Sequence, residues 1–283
     1  MQTLTRGSYR ASLVDGTGDS AGDLAEAQAL RHLAFRRRIS VGSKAGGAAG
    51  MAADGRVGAA AGAAAGAEVS AEMGAEMSAG AEFGRDRDEF DPLCRHLLVR
   101  TPPGALVACC RLQAFAQGCD LSGSYSAQFY DLSRLTAVTG RRLELGRFCL
   151  HPAHHDPDIL RLIWGALTQI VDAEGVTLLF GCSSFAGADP GPHLQALATL
   201  RHHIGPAACA PGPRAAERVD LPAGPGRVGG LPTLLRSYLA MGAWVSDHAV
   251  IDRHLDTLHV FTALPTARVP AARARALRAV VTP

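Results

Sequence analysis

RRLELGRFCLHP, residues 141–152, is the stretch on which the reading of this chain turns. Leu143, Leu145, Phe148, Cys149 and Leu150 give it the apolar content of a core strand over 143–150. Yet Glu144 and Arg147 stand three residues apart inside it. Strict alternation would place Glu144, Gly146 and Phe148 on one face and Arg147 on the other. A buried charge is costly unless it is paired, so each of these two needs a partner the strand itself does not supply.

Working outward, the segments on either side read clearly. Upstream, RHLLVR (95–100) and ALVACCRLQAF (105–115) flank the turn signal TPPG and predict a hairpin. Downstream, Asp156 is placed to cap a helix, Pro157 suits its first position and Gly175 ends it. Leu160, Ile163, Trp164, Leu167, Ile170 and Val171 form that helix's apolar stripe. VTLLFGCSSF (176–185) predicts a further buried strand, and 205–230 reads as a Pro/Gly-rich loop. A second helix opens at Pro232 and stops at Gly242, with Leu231, Leu234, Leu235, Tyr238 and Leu239 on one face. Two short strands near 247–252 and 258–263 follow. Toward the N-terminus, Asp23–Arg38 predicts a helix, with Asp23 and Glu26 placed as a capping box. Strands alternating with helices predict one mixed α/β layer structure.

The chain has 283 residues, 47% hydrophobic and 19% charged, with a formal net charge of +2. That is ample for a core and gives no general case for nucleic acid as a partner. Basic residues cluster locally at Arg36–Arg38 and Arg141–Arg142. Residues 42–82 stand apart, because 26 of the 41 are Ala or Gly and none is aromatic, so they predict a disordered insertion. The expected division is therefore 1–41 and 83–265 as the two pieces of one domain, with 266–283 as a C-terminal tail. Seven cysteines without a CxxC pair argue against a disulfide framework or a zinc knuckle. With no apolar leader and no membrane-length apolar run, a cytoplasmic setting is expected.

Three motifs tempt and fail. GPGRVG (224–229) matches GxGxxG but follows a proline-rich loop, not a strand. His151, His154, His155 and Asp156 lack a zinc spacing and read as loop and cap residues. Ser183 and Ser184 lack the G-x-S-x-G elbow, and Cys149 reads as a packed thiol.

ELGRFCLHP, with DEFDPLCRHLLV upstream and GALVACCRLQ between, resembles the acyl-homoserine-lactone synthases and their acyltransferase relatives. The stretch LPTLLRSYLAMGAWVSDHAVIDRHLDTLHVFTALP (231–265) resembles the L-ornithine Nα-acyltransferases of bacterial ornithine-lipid synthesis, not the shorter lactone synthases. The tryptophan that lactone synthases carry soon after the first helix is missing, since the insertion begins there. The resemblance implies a GNAT-like fold, a central mixed, largely antiparallel sheet flanked by helices. It implies substrate-binding roles for Arg31, Phe35, Asp88, Asp91, Arg111 and Phe148, and a catalytic role for Glu144 and Arg147. In that fold the central strands splay, and a β-bulge near Gly146 would bring Glu144 and Arg147 toward one site.

The implied reaction moves a (3-hydroxy)acyl chain from acyl carrier protein to the α-amine of L-ornithine, giving lyso-ornithine lipid. Glu144 would take the proton of the attacking amine, directly or through a water. Arg111 or Arg147 suits the acceptor carboxylate, and Asp88 or Asp91 the distal ammonium. Coenzyme A enzymes of this fold carry a glycine-bearing phosphate loop where this chain has HPAHHDPDILRL, which favours a carrier-protein donor. Arg141, Arg142 and Arg161 are the expected docking residues for that acidic carrier. No cofactor or metal is expected, since phosphopantetheine arrives with the substrate. The amphiphilic product implies loose contact with the inner membrane surface. The alternatives are a same-fold enzyme with another acceptor, a lactone synthase, or a non-catalytic module that binds acyl carriers.

Overall fold

The computed structural model describes residues 3–17, 20–44 and 84–280. The Ala/Gly-rich insertion lies outside the described residues from position 45 onward, as do the side chains of Arg36–Arg38. Nine strands form one sheet. In chain order they are β1 (Leu4–Arg6), β2 (Tyr9–Asp15), β3 (Arg95–Arg100), β4 (Leu106–Phe115), β6 (Arg141–Leu150), β7 (Val176–Ala186), β9 (Arg218–Asp220), β10 (Trp244–Asp252) and β11 (Thr257–Pro265). The spatial order is β1-β2-β3-β4-β6-β7-β11-β10-β9. Every neighbouring pair is antiparallel except β6 and β7, which run parallel. A two-stranded ribbon joins β5 (Tyr130–Asp131) to β8 (Gly212–Pro213).

Helix α1 (Ala21–Lys44) lies on one face of the sheet. The opposite face is covered by α2 (Pro157–Glu174), α3 (Leu194–Leu200) and α4 (Thr233–Ala240), with α5 (Ala271–Ala279) resting on α2. Helix α2 has the ends that local chemistry sets. The Asp158 N–H donates to the Asp156 carboxylate at 2.9 Å, Pro157 occupies the first turn, and Gly175 closes the helix at φ 61°. Its stripe, including Ile159, Leu162, Ile163 and Leu167, is buried against Leu143, Leu145 and Leu179 of the sheet. Each such side chain contributes about 1.5–3 kcal/mol through burial.

Several expectations are corrected. Helix α1 begins at Ala21, so Asp23 is not its cap; Asp23 and Glu26 each take a guanidinium N–H of Arg100 at 2.6 Å instead. The loop expected at 205–230 contributes β8 and β9 to sheet pairing. Strands β1 and β2, unpredicted, form one edge of the sheet.

The largest correction concerns the alternation of β6. Cys109 pairs with Cys149 but Arg111 pairs with Gly146, so both Arg147 and Phe148 stand opposite Cys110. That is a β-bulge, and Arg147 carries it at φ 50°. A left-handed non-glycine residue costs about 1–2 kcal/mol. The extra residue reverses the phase of the strand. Arg147 turns to the α1 face with Arg142, Glu144 and Cys149, while Phe148 turns to the α2 face, its ring 6.4 Å from that of Trp164.

Candidate active site

Just before the bulge the sheet forks. The pairing of β6 with β7 ends at Glu144 and Phe180, whereas β6 stays paired to β4 through Leu150 and β7 to β11 through Ala186. Gly181 marks the fork, because a Cβ there would stand 2.2 Å from the Leu145 carbonyl oxygen. Ser126, in a short turn of 3₁₀ helix, spans the gap: its hydroxyl donates to Glu144 on one prong and lies 3.6 Å from the Cys182 thiol on the other.

Glu144 is buried, with both carboxylate oxygens engaged. Oε1 accepts from the Ser126 N–H at 2.7 Å and its hydroxyl at 2.6 Å; Oε2 accepts from the Tyr125 N–H at 2.9 Å. Burial raises its pKa, against the bonds from Ser126 and Tyr125 and the positive charge of Arg111.

Beside the fork lie three arginines and three aspartates. Asp91 accepts from Arg31 at 2.8 and 2.7 Å, from Gln28 at 2.9 Å and from Arg111 at 3.0 Å. Burial alone would raise its carboxyl, but these donors outweigh it and hold the group at about 2. Arg31 is raised in turn, Asp91 overcoming the cost of burial. Arg147 donates through Nε to Asp86 at 2.9 Å and through Nη2 to Asp88 at 3.1 Å, and its guanidinium lies 4.7 Å from the Tyr125 ring centre and 5.8 Å from that of Phe35. Burial opposes the Arg147 charge, yet Tyr125, Asp86 and Asp88 together push its pKa up. Arg111 pairs with Asp88 and Asp91, and its guanidinium lies 5.6 and 5.5 Å from the ring centres of Phe90 and Tyr125. Its Nη2 is buried without a hydrogen-bond partner.

The structure thus brings Arg31, Phe35, Asp88, Asp91, Arg111, Glu144 and Arg147 to one side of the sheet. It separates Phe148, which the bulge has sent to the far face, from the site. Arg142 is fully buried and donates to the carbonyls of Leu135, Ala116 and Cys119, so it is a clamp on the 116–135 loop and no docking residue. Arg141 and Arg161 are exposed, paired with Glu174 and Asp158. The sequence reading missed Asp86, Gln28, Tyr125 and Ser126. For Asp86 a signal existed: it stands two residues before Asp88 in RDRD (85–88), the spacing that puts both on one side of an extended chain. For Tyr125 and Ser126 there was none. Nearby, Tyr130 packs on His248 and His259 and donates to the His259 carbonyl at 2.9 Å; burial lowers His259 to about 4. Among the described residues no cluster of His, Cys, Asp and Glu could hold a metal ion, and all seven cysteines are free.

A forked β6–β7 pair carrying a bulge and a buried carboxylate defines an acyltransferase of the GNAT class, and residues 70–165 match the acetyltransferase (GNAT) domain family. The chain is 35% identical over 193 residues to the L-ornithine N(alpha)-acyltransferase of Rhodobacter capsulatus, covering 64% of this chain and 74% of that one. It is 32% identical over 210 residues to the enzyme of the same name from Brucella abortus, covering 65% and 72%. In backbone it is similar to the acyl-homoserine-lactone synthase LasI, with a TM-score of 0.40 at 12% identity over 98% of both chains. The chain belongs to the L-ornithine N(alpha)-acyltransferase family.

Proposed function

We propose that this enzyme transfers a (3-hydroxy)acyl chain from acyl carrier protein to the α-amine of L-ornithine, forming lyso-ornithine lipid. Membership of the ornithine acyltransferase family supports ornithine as the acceptor. The fork supplies the chemistry. Free α-amines have a pKa of about 8, so a proton must leave before the nitrogen can attack the thioester carbonyl. Glu144 accepts that proton, directly or through a water. The N–C bond forms, the C–S bond breaks, and the departing thiolate takes up one of the two remaining amine protons, the other staying on the amide nitrogen. Backbone N–H groups of the bulged strand, freed from pairing with β7, stabilise the oxyanion.

Arg111 supports recognition of the acceptor carboxylate, since its buried Nη2 is a donor awaiting an acceptor. Asp86 and Asp88, with 15% and 22% of the side chain exposed against 3% for Asp91, are the acids an ornithine ammonium can reach. Arg147 holds those two acids in place. Donor choice is supported by the N-terminus of α2, where Asp156 and Asp158 already occupy the helix end and no glycine loop invites a pyrophosphate. Phosphopantetheine arrives as part of the donor, and of the three expected docking residues Arg141 and Arg161 are exposed to an acidic carrier.

The test offers the purified protein 3-hydroxyacyl carrier protein, acyl-CoA and an equimolar pool of amino acids with S-adenosylmethionine, and identifies products by mass spectrometry. Nα-acylornithine made with the carrier donor is the expected product. Acylation of another acceptor, or equal use of the coenzyme A donor, overturns the assignment.

A further inference from the structure

On the far face of the sheet, away from the charged cluster, two cavities open between α2, α4 and α5. The larger, about 530 Å³, is floored by Leu160, Trp164, Leu277 and Val280 and rimmed by Arg6, Arg161 and Arg273. The second, about 360 Å³, shares Ser237 and Arg273 with it and adds Arg236. Arg6 and Arg161 are both paired with Asp158. Arg236 and Arg273 are exposed, and among the described residues no carboxylate lies within ion-pairing distance of either. Helix α5 (AARARALRA) has arginines at 273, 275 and 278 and no acid, and Arg278 ties it to Asp172 on α2 at 2.7 Å. The face is therefore cationic, with an apolar groove at its centre.

We infer that this face is a docking surface for an anionic lipid bilayer. A phosphate head group suits Arg236 and Arg273, which no carboxylate neutralises, and the aliphatic part of a lipid suits the floor of Leu160, Trp164 and Leu277. Acyl carrier protein is acidic and carries a flexible acyl chain, but that chain must reach the fork on the opposite face of the sheet and cannot fill a groove here. No helix among the described residues is long and apolar enough to cross a membrane, so the contact is at the bilayer surface. The groove also lies directly behind the reaction site: Trp164 in its floor touches Phe148, and Phe148 adjoins Arg147 at the bulge. The inference rests on the charge and shape of this face, whatever amine is acylated at the fork.

The experiment is flotation of the full chain with vesicles of phosphatidylcholine alone and with phosphatidylglycerol added, at low and high salt. Expected are binding to the anionic vesicles, its loss in high salt, and a loss of roughly fivefold per arginine, about twenty-five-fold, in Arg236→Gln/Arg273→Gln. That variant keeps its acyl-transfer rate on dissolved substrates, which also reports that it folds. Equal binding to both vesicles, no binding to either, or unchanged binding by the double variant overturns the inference. Capture of acyl carrier protein, instead of vesicles, through these two arginines overturns it in favour of a protein partner.

Discussion

Replacing Glu144 by Gln separates a base from a structural pin. The carboxylate accepts three hydrogen bonds from Tyr125 and Ser126 in a buried setting. An amide keeps one oxygen for Ser126 but turns an NH₂ toward the Tyr125 N–H, leaving a buried donor unpaired at about 1–3 kcal/mol. Loss of general-base catalysis adds a factor of about 10²–10⁴ in kcat/KM. The wild-type acid limb of kcat/KM lies above the ordinary Glu value, because burial raises this group and activity falls as pH drops through its pKa. Ser126→Ala supplies the control. It removes a bond that favours the charged form, so the acid limb moves to higher pH while the carboxylate remains. The assay is kcat/KM for acyl transfer against pH, run beside urea unfolding. If Glu144→Gln loses stability but keeps most of its activity with an unshifted profile, Glu144 is a pin for the 125–126 turn and the proton goes elsewhere.

Asp91→Leu leaves Arg31 and Arg111 buried beside an apolar group, an expected cost of about 3–5 kcal/mol in urea unfolding that Arg31→Leu/Asp91→Leu largely recovers; equal losses in the single and double variants would contradict the pairing. With Asp91 at about 2 in the folded state and 3.8 as its ordinary value, its contribution of about 2 kcal/mol is complete above pH 3.8 and drains as pH falls through about 2, so the variant's unfolding midpoint varies less across that window. Gly181→Ala drives a methyl into the Leu145 carbonyl oxygen, at an expected cost of about 1–3 kcal/mol, and an unchanged Tm would show that the prongs do not meet there. Arg142→Ala strips charge-assisted bonds from the buried Leu135 carbonyl and the part-buried carbonyls of Ala116 and Cys119, so calorimetry should show lost stability while the KM for acyl carrier protein stays constant in the folded protein.

What the sequence determined by itself was local. Helix α2 runs from an Asp156 cap and Pro157 to a left-handed Gly175, and TPPG turns the β3–β4 hairpin, because capping and turn chemistry act over a few residues. The apolar stripes named the core, and ELGRF picked out the strand that carries the bulge and the buried carboxylate. The sheet decided the rest. Alternation alone put Phe148 beside Glu144 and Arg147 behind them; one inserted residue, visible only in the pairing of β6 with β4, exchanged the two. Arg142 reads as a surface cation beside Arg141 until the carbonyls of a loop up to 26 residues away close over it. Asp86 reaches Arg147 across 61 positions, and the Glu144 bonds to Tyr125 and Ser126 span 18 or 19. Such contacts depend on strand register and on where two prongs diverge. Both are set by the packing of the whole sheet, and no window of residues around Glu144 contains them.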